Sequence, residues 1–317
     1  MTLRRRALAV AVLLASIARP AHAWNGFGHM AVAYVAYEHL TPSTRARVRT
    51  LLRKNPFYSS NWKHQIPAGT PTADADRMLF MIAATWPDQI KRDDRYHDDG
   101  TDGGDRPPSD GTAAQNVGYA DQARHKYWHF IDTPFSPDGT PLPPVPTPNA
   151  GTQIASFRAT LASRDPDALK SYDLSWLLHL VGDVHQPLHC ATRVSAGRPG
   201  GDYGGNGVKL SCRGCSSLHL YWDGLLGPGD ASPEAVIAVA RSLPVPDATA
   251  AAKHDAKDWI AESFQLARDK VYAPPIGVGD GPYQPTTGYR NAARALARKR
   301  IALAGVRLAN LLNDELR

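Results

Sequence analysis

The chain has 317 residues, 43% of them hydrophobic, and a formal net charge of +6. Arg4, Arg5, Arg6 and Arg19 supply four of those charges and no acid precedes Trp24, so loss of residues 1–23 leaves +2. That balance excludes a global polyanion-binding surface, and any such attraction must be local; the length and apolar content suffice for one large domain with a sizeable core.

Arg4, Arg5 and Arg6 form a basic start, residues 7–17 an apolar core, and Ala21-His22-Ala23 an A-x-A site. This pattern predicts a signal peptide over 1–23, Sec-type export and a periplasmic or secreted protein. No later run of about 18 apolar residues predicts a membrane span. Cleavage would make Trp24 a free N-terminus, whose α-amine and own carbonyl can chelate one ion in a five-membered ring with His29 close by.

Apolar residues recur at helical spacing over 27–40 and stop at Thr41-Pro42, after which Ser43 can cap a second helix carrying Val48, Leu51 and Leu52. Residues 71–86 predict a third helix ending near Trp86-Pro87, with Asp88 just past it. The stretches 91–119 and 133–148 are rich in Asp, Gly and Pro and predict surface loops. Asp98, Asp99, Asp102 and Asp105 lack the glycine and terminal glutamate of an EF-hand, which leaves a solvated acidic loop.

Residues 151–163 and 165–186 read as helices, the second started by Asp165-Pro166 and ended by Pro187. A glycine-rich segment, 197–207, leads to a short element at 218–225, and helices follow near 231–243, 249–271 and 286–312. Strand-like alternation is scarce, so the expected class is all-α, a single helical domain over 24–317 with long loops. Cys190, Cys212 and Cys215 leave one thiol over: Cys212 and Cys215 can close locally, or Cys190 can bridge to either. A CxxC zinc site lacks its second thiol pair.

Two HxxxD pairs, His179 with Asp183 and His219 with Asp223, put imidazole and carboxylate one helical turn apart. Either pair alone is equally a salt bridge, but His179 lies among Leu177, Leu178, Leu180 and Val181, where polar groups need partners. The segment HLVGDVHQPLH from His179 to His189 places four donors in eleven positions. Gly182 permits close packing beside Asp183, and Pro187 turns His189 away from the face of His179, an aim that suits two ions better than one.

These motifs resemble the secreted S1/P1 nucleases, relatives of the zinc-dependent phospholipases C. The likeness rests on WNGFGH at 24–29, WPD at 86–88, HFID at 129–132, HLVGDVHQPLH at 179–189, GGN at 204–206 and HLYWD at 219–223. It implies three Zn2+ ions: one on Asp88, His129, His179 and Asp183; a second on the amine and carbonyl of Trp24, His29 and the bridging Asp183; a third on His189, His219 and Asp223. Imidazole and carboxylate donors with few thiols independently suit zinc.

The resemblance further implies hydrolysis of single-stranded DNA and RNA to 5′-phosphorylated products, with 3′-nucleotidase activity, by water activated at the pair sharing Asp183 and attacking phosphorus in line. Phospholipase C activity is the alternative, and no stable protein partner is implied. Lys91 matches a basic side chain near the scissile phosphate, Phe130 a ring that stacks on a base, and Asp132 a carboxylate that reads its edge. Tyr203 and Asn206 stand where the family has the opposing wall, beyond a longer stretch after His189. His185 is expected to hydrogen-bond a metal ligand, and Trp86 and Trp222 to pack beside the site.

Overall fold

The computed structural model describes residues 24–212 and 214–317; the leader expected over 1–23 lies outside them. Twelve α-helices carry the described chain: α1 (Gly26–His39), α2 (Pro42–Leu52), α3 (Pro56–Ser60), α4 (Thr72–Ala83), α5 (Trp86–Ile90), α6 (Ala150–Ala162), α7 (Asp167–Asp183), α8 (Leu218–Asp223), α9 (Pro233–Ala240), α10 (Ala248–Ala251), α11 (Ala256–Leu266) and α12 (Thr287–Glu315). Strands are confined to a parallel pair, β1 (Pro134–Phe135) with β2 (Thr192–Arg193), and an antiparallel pair, β3 (Lys209–Cys212) with β4 (Cys215–Ser217). The all-α expectation holds.

Two helices are buried on every side, as helices enclosed by others must be. Every residue of α7 from Lys170 to Asp183 is buried, and α1 is buried almost throughout from Phe27 to Tyr37. Helix α1 packs on α12, α4, α9 and α7, while α7 packs on α6, α2, α12 and α5. Side chains on these two helices therefore face one another in the core, where a polar cluster must satisfy itself.

Several helix ends differ from expectation. Thr41 caps α2, its hydroxyl accepting from the Thr44 amide, because Pro42 rather than Ser43 opens the helix. The third helix stops at Ala83 and the chain restarts at Trp86 with Pro87 in the first turn, so Asp88 lies inside α5. Pro166 rather than Asp165 occupies the N-cap position of α7. The stretch 249–271 divides into α10, α11 and a π-helical turn, Ala267–Val271.

Cys212 and Cys215 form a disulfide at the tip of the β3–β4 hairpin, and Cys190 is a free, buried thiol whose pKa burial pushes up to about 12. The acidic run is bound by its surroundings: Asp98 pairs with Lys126 at 2.9 Å, and Asp99 accepts from His125 Nδ1 at 2.7 Å and the Tyr127 hydroxyl at 2.5 Å. Those bonds fix the turn that delivers His129. Among the described residues no helix is long and apolar enough to cross a membrane.

Candidate metal centre

Six segments converge beneath α1. The start of α1 brings Trp24 and His29, α5 brings Asp88, the 3-10 turn Lys126–His129 brings His129, and α7 brings His179 and Asp183. The 3-10 turn Pro187–Cys190 adds His189, and α8 adds His219 with Asp223. Three groups have donor atoms within 4.8 Å of one another: His29 with Asp88 and His179, His129 with His179 and Asp183, and His189 with His219 and Asp223. Trp24 is fully buried, and the next amide, Asn25, donates to the Asp223 carbonyl at 3.3 Å, which ties the described start of the chain to α8.

Backbone carbonyls set the histidine tautomers. Nδ1 of His179 donates to Ala84 O at 2.8 Å, Nδ1 of His189 to His129 O at 2.8 Å, and Nδ1 of His219 to Gly204 O at 2.7 Å. A carbonyl only accepts, so each neutral ring carries its proton on Nδ1 and a lone pair on Nε2. Nε2 of His189 and Nε2 of His219 then face each other 3.0 Å apart. Two lone pairs at that distance repel unless a cation sits between them, and nitrogens on one tetrahedral zinc lie about 3.3 Å apart. Burial, with His219 adding to it, holds the His189 pKa well below 6.5, so a shared proton is the poorer filling.

Asp183 divides its oxygens. Oδ1 lies 3.3 Å from His29 Nε2, while Oδ2 lies 3.2 Å from His129 Nδ1 and 3.5 Å from His179 Nε2. His29 stacks on His179 with ring centroids 3.6 Å apart. A Cβ at Gly182 would come within 3.0 Å of His29 Nδ1, so glycine is what lets that ring lie against α7. Both nitrogens of His29, Nε2 of His129, Oδ1 of Asp183 and Oδ2 of Asp223 are buried without a hydrogen-bond partner. Native interiors leave few such atoms, and His29 Nε2, Asp183 Oδ1 and Asp223 Oδ2, which face other donors of the cluster, are the ones that cations would take up.

Burial raises the carboxyl pKa of Asp183 and of Asp223 well above 3.8, with Asp88 adding to both. Burial likewise lowers His29 and His129 well below 6.5. Neutral imidazoles beside reluctant carboxylates are what a divalent ion relieves.

Gln186 is a residue that sequence reasoning missed. Its Nε2 donates to Asp223 Oδ1 at 2.8 Å and its Oε1 accepts from the Leu188 amide at 2.7 Å, which leaves Oδ2 turned to His219 Nε2 at 3.5 Å. An amide set between the candidate ligands Asp183 and His189 was the available signal. Gly204, with φ +60, is the second: an added Cβ would meet Leu188 O at 2.5 Å, so only glycine can present its carbonyl to His219.

Lys91 is largely buried and holds Asp88 Oδ1 at 2.9 Å. Phe130 and Asp132, which follow His129 in the chain, line one small cleft together with Asp105, Pro107, Pro146 and Pro148. Burial, aided by Asp202, raises Asp132 to about 7. Tyr203 and Asn206 do not line this cleft; Tyr203 is 43% exposed, and the Asn206 amide donates to its carbonyl at 2.8 Å.

His185 departs from its expected role. Its Nδ1 donates to Val181 O at 2.7 Å and its Nε2 faces Arg307 at 3.0 Å, away from the ligands. Trp86 and Trp222 are packing residues: Trp86 meets Tyr172 and Trp176 edge-on, and the Trp222 indole donates to Tyr289 at 3.1 Å.

A model of the S1/P1 Nuclease family matches residues 24–317. Nuclease S1 of Aspergillus oryzae is 23% identical over 333 residues, covering 97% of each chain. The chain belongs to the S1/P1 nuclease family and is a nuclease, a hydrolase acting on nucleic acid. That family is zinc-dependent in general, and the His and Asp groups of this chain can hold metal.

Proposed function

We propose that this nuclease is exported, takes three zinc ions, and cleaves single-stranded DNA and RNA to 5′-phosphorylated products, with 3′-nucleotidase activity from the same centre. The observation that carries the reading is the pair of facing lone pairs on His189 and His219 together with the divided oxygens of Asp183.

Asp88, His129, His179 and Asp183 would hold one ion; Trp24, His29 and Asp183 a second; His189, His219 and Asp223 a third. Bound zinc supplies Lewis acidity and activates water near neutral pH. The carbonyls of Ala84, His129 and Gly204 keep three imidazoles in the tautomer that can ligate. Lys91 holds Asp88 Oδ1 at the edge where a phosphate oxygen would gather negative charge. Phe130 offers an apolar face to an unstacked base, and Asp132 accepts from its edge. A duplex hides both, which is the reason for the single-strand preference.

Export is supported by the n-region, apolar core and A-x-A site over 1–23, and by a family match that begins at Trp24. The test incubates purified protein with single-stranded DNA, RNA and phosphatidylcholine, with and without a chelator. Products bearing 5′-phosphate, lost on chelation and restored by zinc, are expected. Diacylglycerol as the dominant product, or cleavage indifferent to chelation, would overturn the reading.

A further inference from the structure

Between Thr287 and Leu312, helix α12 carries six cations and no acid. Two of them, Arg300 and Arg307, turn inward to Glu262 at 3.1 and 2.8 Å. Arg290, Arg294 and Arg298 follow at four-residue spacing on the outer side, exposed or half-buried, over about 12 Å of helix.

None of these three is in an ion pair among the described residues. Arg290 is steadied by Pro285 O at 2.6 Å and the Thr287 hydroxyl at 2.9 Å, and Arg298 by the carbonyl and hydroxyl of Ser242. Those acceptors orient a guanidinium without neutralising it. Several other arginines are matched with acid, Arg47 with Asp167, Arg49 with Asp76 and Arg158 with Glu315, while α12 groups three without one on a single side of one helix. In a mature chain of about +2 net charge, an unmatched stripe is where local attraction for a polyanion resides.

The start of the stripe is tied to the helix that carries His219 and Asp223. Tyr289 at the start of α12 accepts the Trp222 indole N–H at 3.1 Å, and Trp222 lies between the ligands His219 and Asp223 of α8. The half-buried ring of Tyr221 stacks near Tyr289, the residue next to Arg290, with centroids 6.3 Å apart, and burial raises its pKa while Arg290 and Arg294 pull it the other way. Cations beside an aromatic ring are what single strands use. Between the arginines Asn291, Ala292 and Ala295 are exposed, and they offer nothing to insert into a bilayer.

We propose that Arg290, Arg294 and Arg298, with Tyr221, form a docking track for the phosphate backbone of a single strand whose reacting phosphate lies at the metal centre. The track rests on the single-strand reading above and adds a second contact region to it.

The test replaces all three arginines with Gln, and separately with Lys, in the zinc-loaded enzyme. Each neutralised phosphate contributes about 0.7 to the salt slope of a single strand, so the Gln variant is expected to lose about 2 of that slope. On a strand of about 20 nucleotides its kcat/KM falls about tenfold at low salt through KM, while a dinucleotide is cleaved as before and the Lys variant keeps the wild-type slope. An unchanged slope in the Gln variant, an equal loss on the dinucleotide, or arginine-dependent binding of anionic vesicles in place of the strand would overturn the track. Binding to a phosphorothioate strand, read by anisotropy, judges the stripe independently of turnover. If wild type fails to cleave single strands yet binds them with an arginine-dependent slope, the single-strand nuclease reading falls and the track stands.

Discussion

Asp183→Asn should remove two ions and spare one. Asp183 is the carboxylate that faces His29 with one oxygen and His129 with the other, whereas the His189–His219–Asp223 group uses none of its atoms. Native mass spectrometry is expected to find three zinc ions on wild type and one on the variant. Each site held at a thousandfold excess over its Kd stabilises the fold by about 4 kcal/mol, so two lost sites remove about 8 kcal/mol. At about 2 °C per kcal/mol for a domain of this length, the zinc-dependent rise in Tm should shrink by roughly 16 °C.

Without metal the same change should be mild or favourable. Burial raises the folded Asp183 pKa above its unfolded 3.8, so the folded state bears the cost of ionisation at neutral pH and is relieved of it as the pH falls toward 3.8. Asn never bears that cost, and the metal-free variant should melt at or above metal-free wild type at pH 7. Three retained ions with the full thermal rise, or loss of all three ions together, would refute the bridging geometry.

Gln186→Leu should weaken zinc about 10- to 100-fold at the His189–His219–Asp223 site and leave the other ions unaffected, as read by stepwise chelator titration. Arg307→Met breaks a buried pair while Arg300 and Lys253 still face Glu262, and urea unfolding should show a loss of about 3 kcal/mol. For His125, burial lowers the pKa, but the bonds to Asp121 and Asp99 outweigh it and the net shift is upward. That pairing therefore stabilises fully below the unfolded value of 6.5 and is lost as pH rises through the folded one, so the wild-type advantage over His125→Gln should fade on the alkaline side.

What the sequence disclosed of the centre is what local periodicity encodes. His179 with Asp183 and His219 with Asp223 sit one turn apart, and helix geometry alone puts each pair on one face. The carbonyls that fix the tautomers were invisible, because Ala84 O, His129 O and Gly204 O belong to the backbone and their side chains say nothing of where they point. Pro87 misled for a related reason: proline stops one helix and opens the next by the same missing N–H, and only the fold decides which. The Glu262 network was hidden by distance, since Arg307 meets His185 across 122 residues.

That network bears on the chemistry through the end of α7. A helix C-terminus leaves its last carbonyls without intrahelical partners, and here the last residue, Asp183, is itself part of the candidate metal centre. Each of these carbonyls is answered from the helix's own continuation or from behind. Leu180 O takes the Val184 amide, Gly182 O the His185 amide and Asp183 O the Gln186 amide, at 2.9 to 3.0 Å, while Val181 O takes the His185 ring. Val184 O takes the Ser263 hydroxyl at 2.5 Å, and His185 O takes Arg300 Nε at 3.2 Å. Arginines are also the charge that a helix C-terminus favours. With those carbonyls satisfied, the end of α7 is held against its surroundings, and both oxygens of Asp183 remain turned to the histidines.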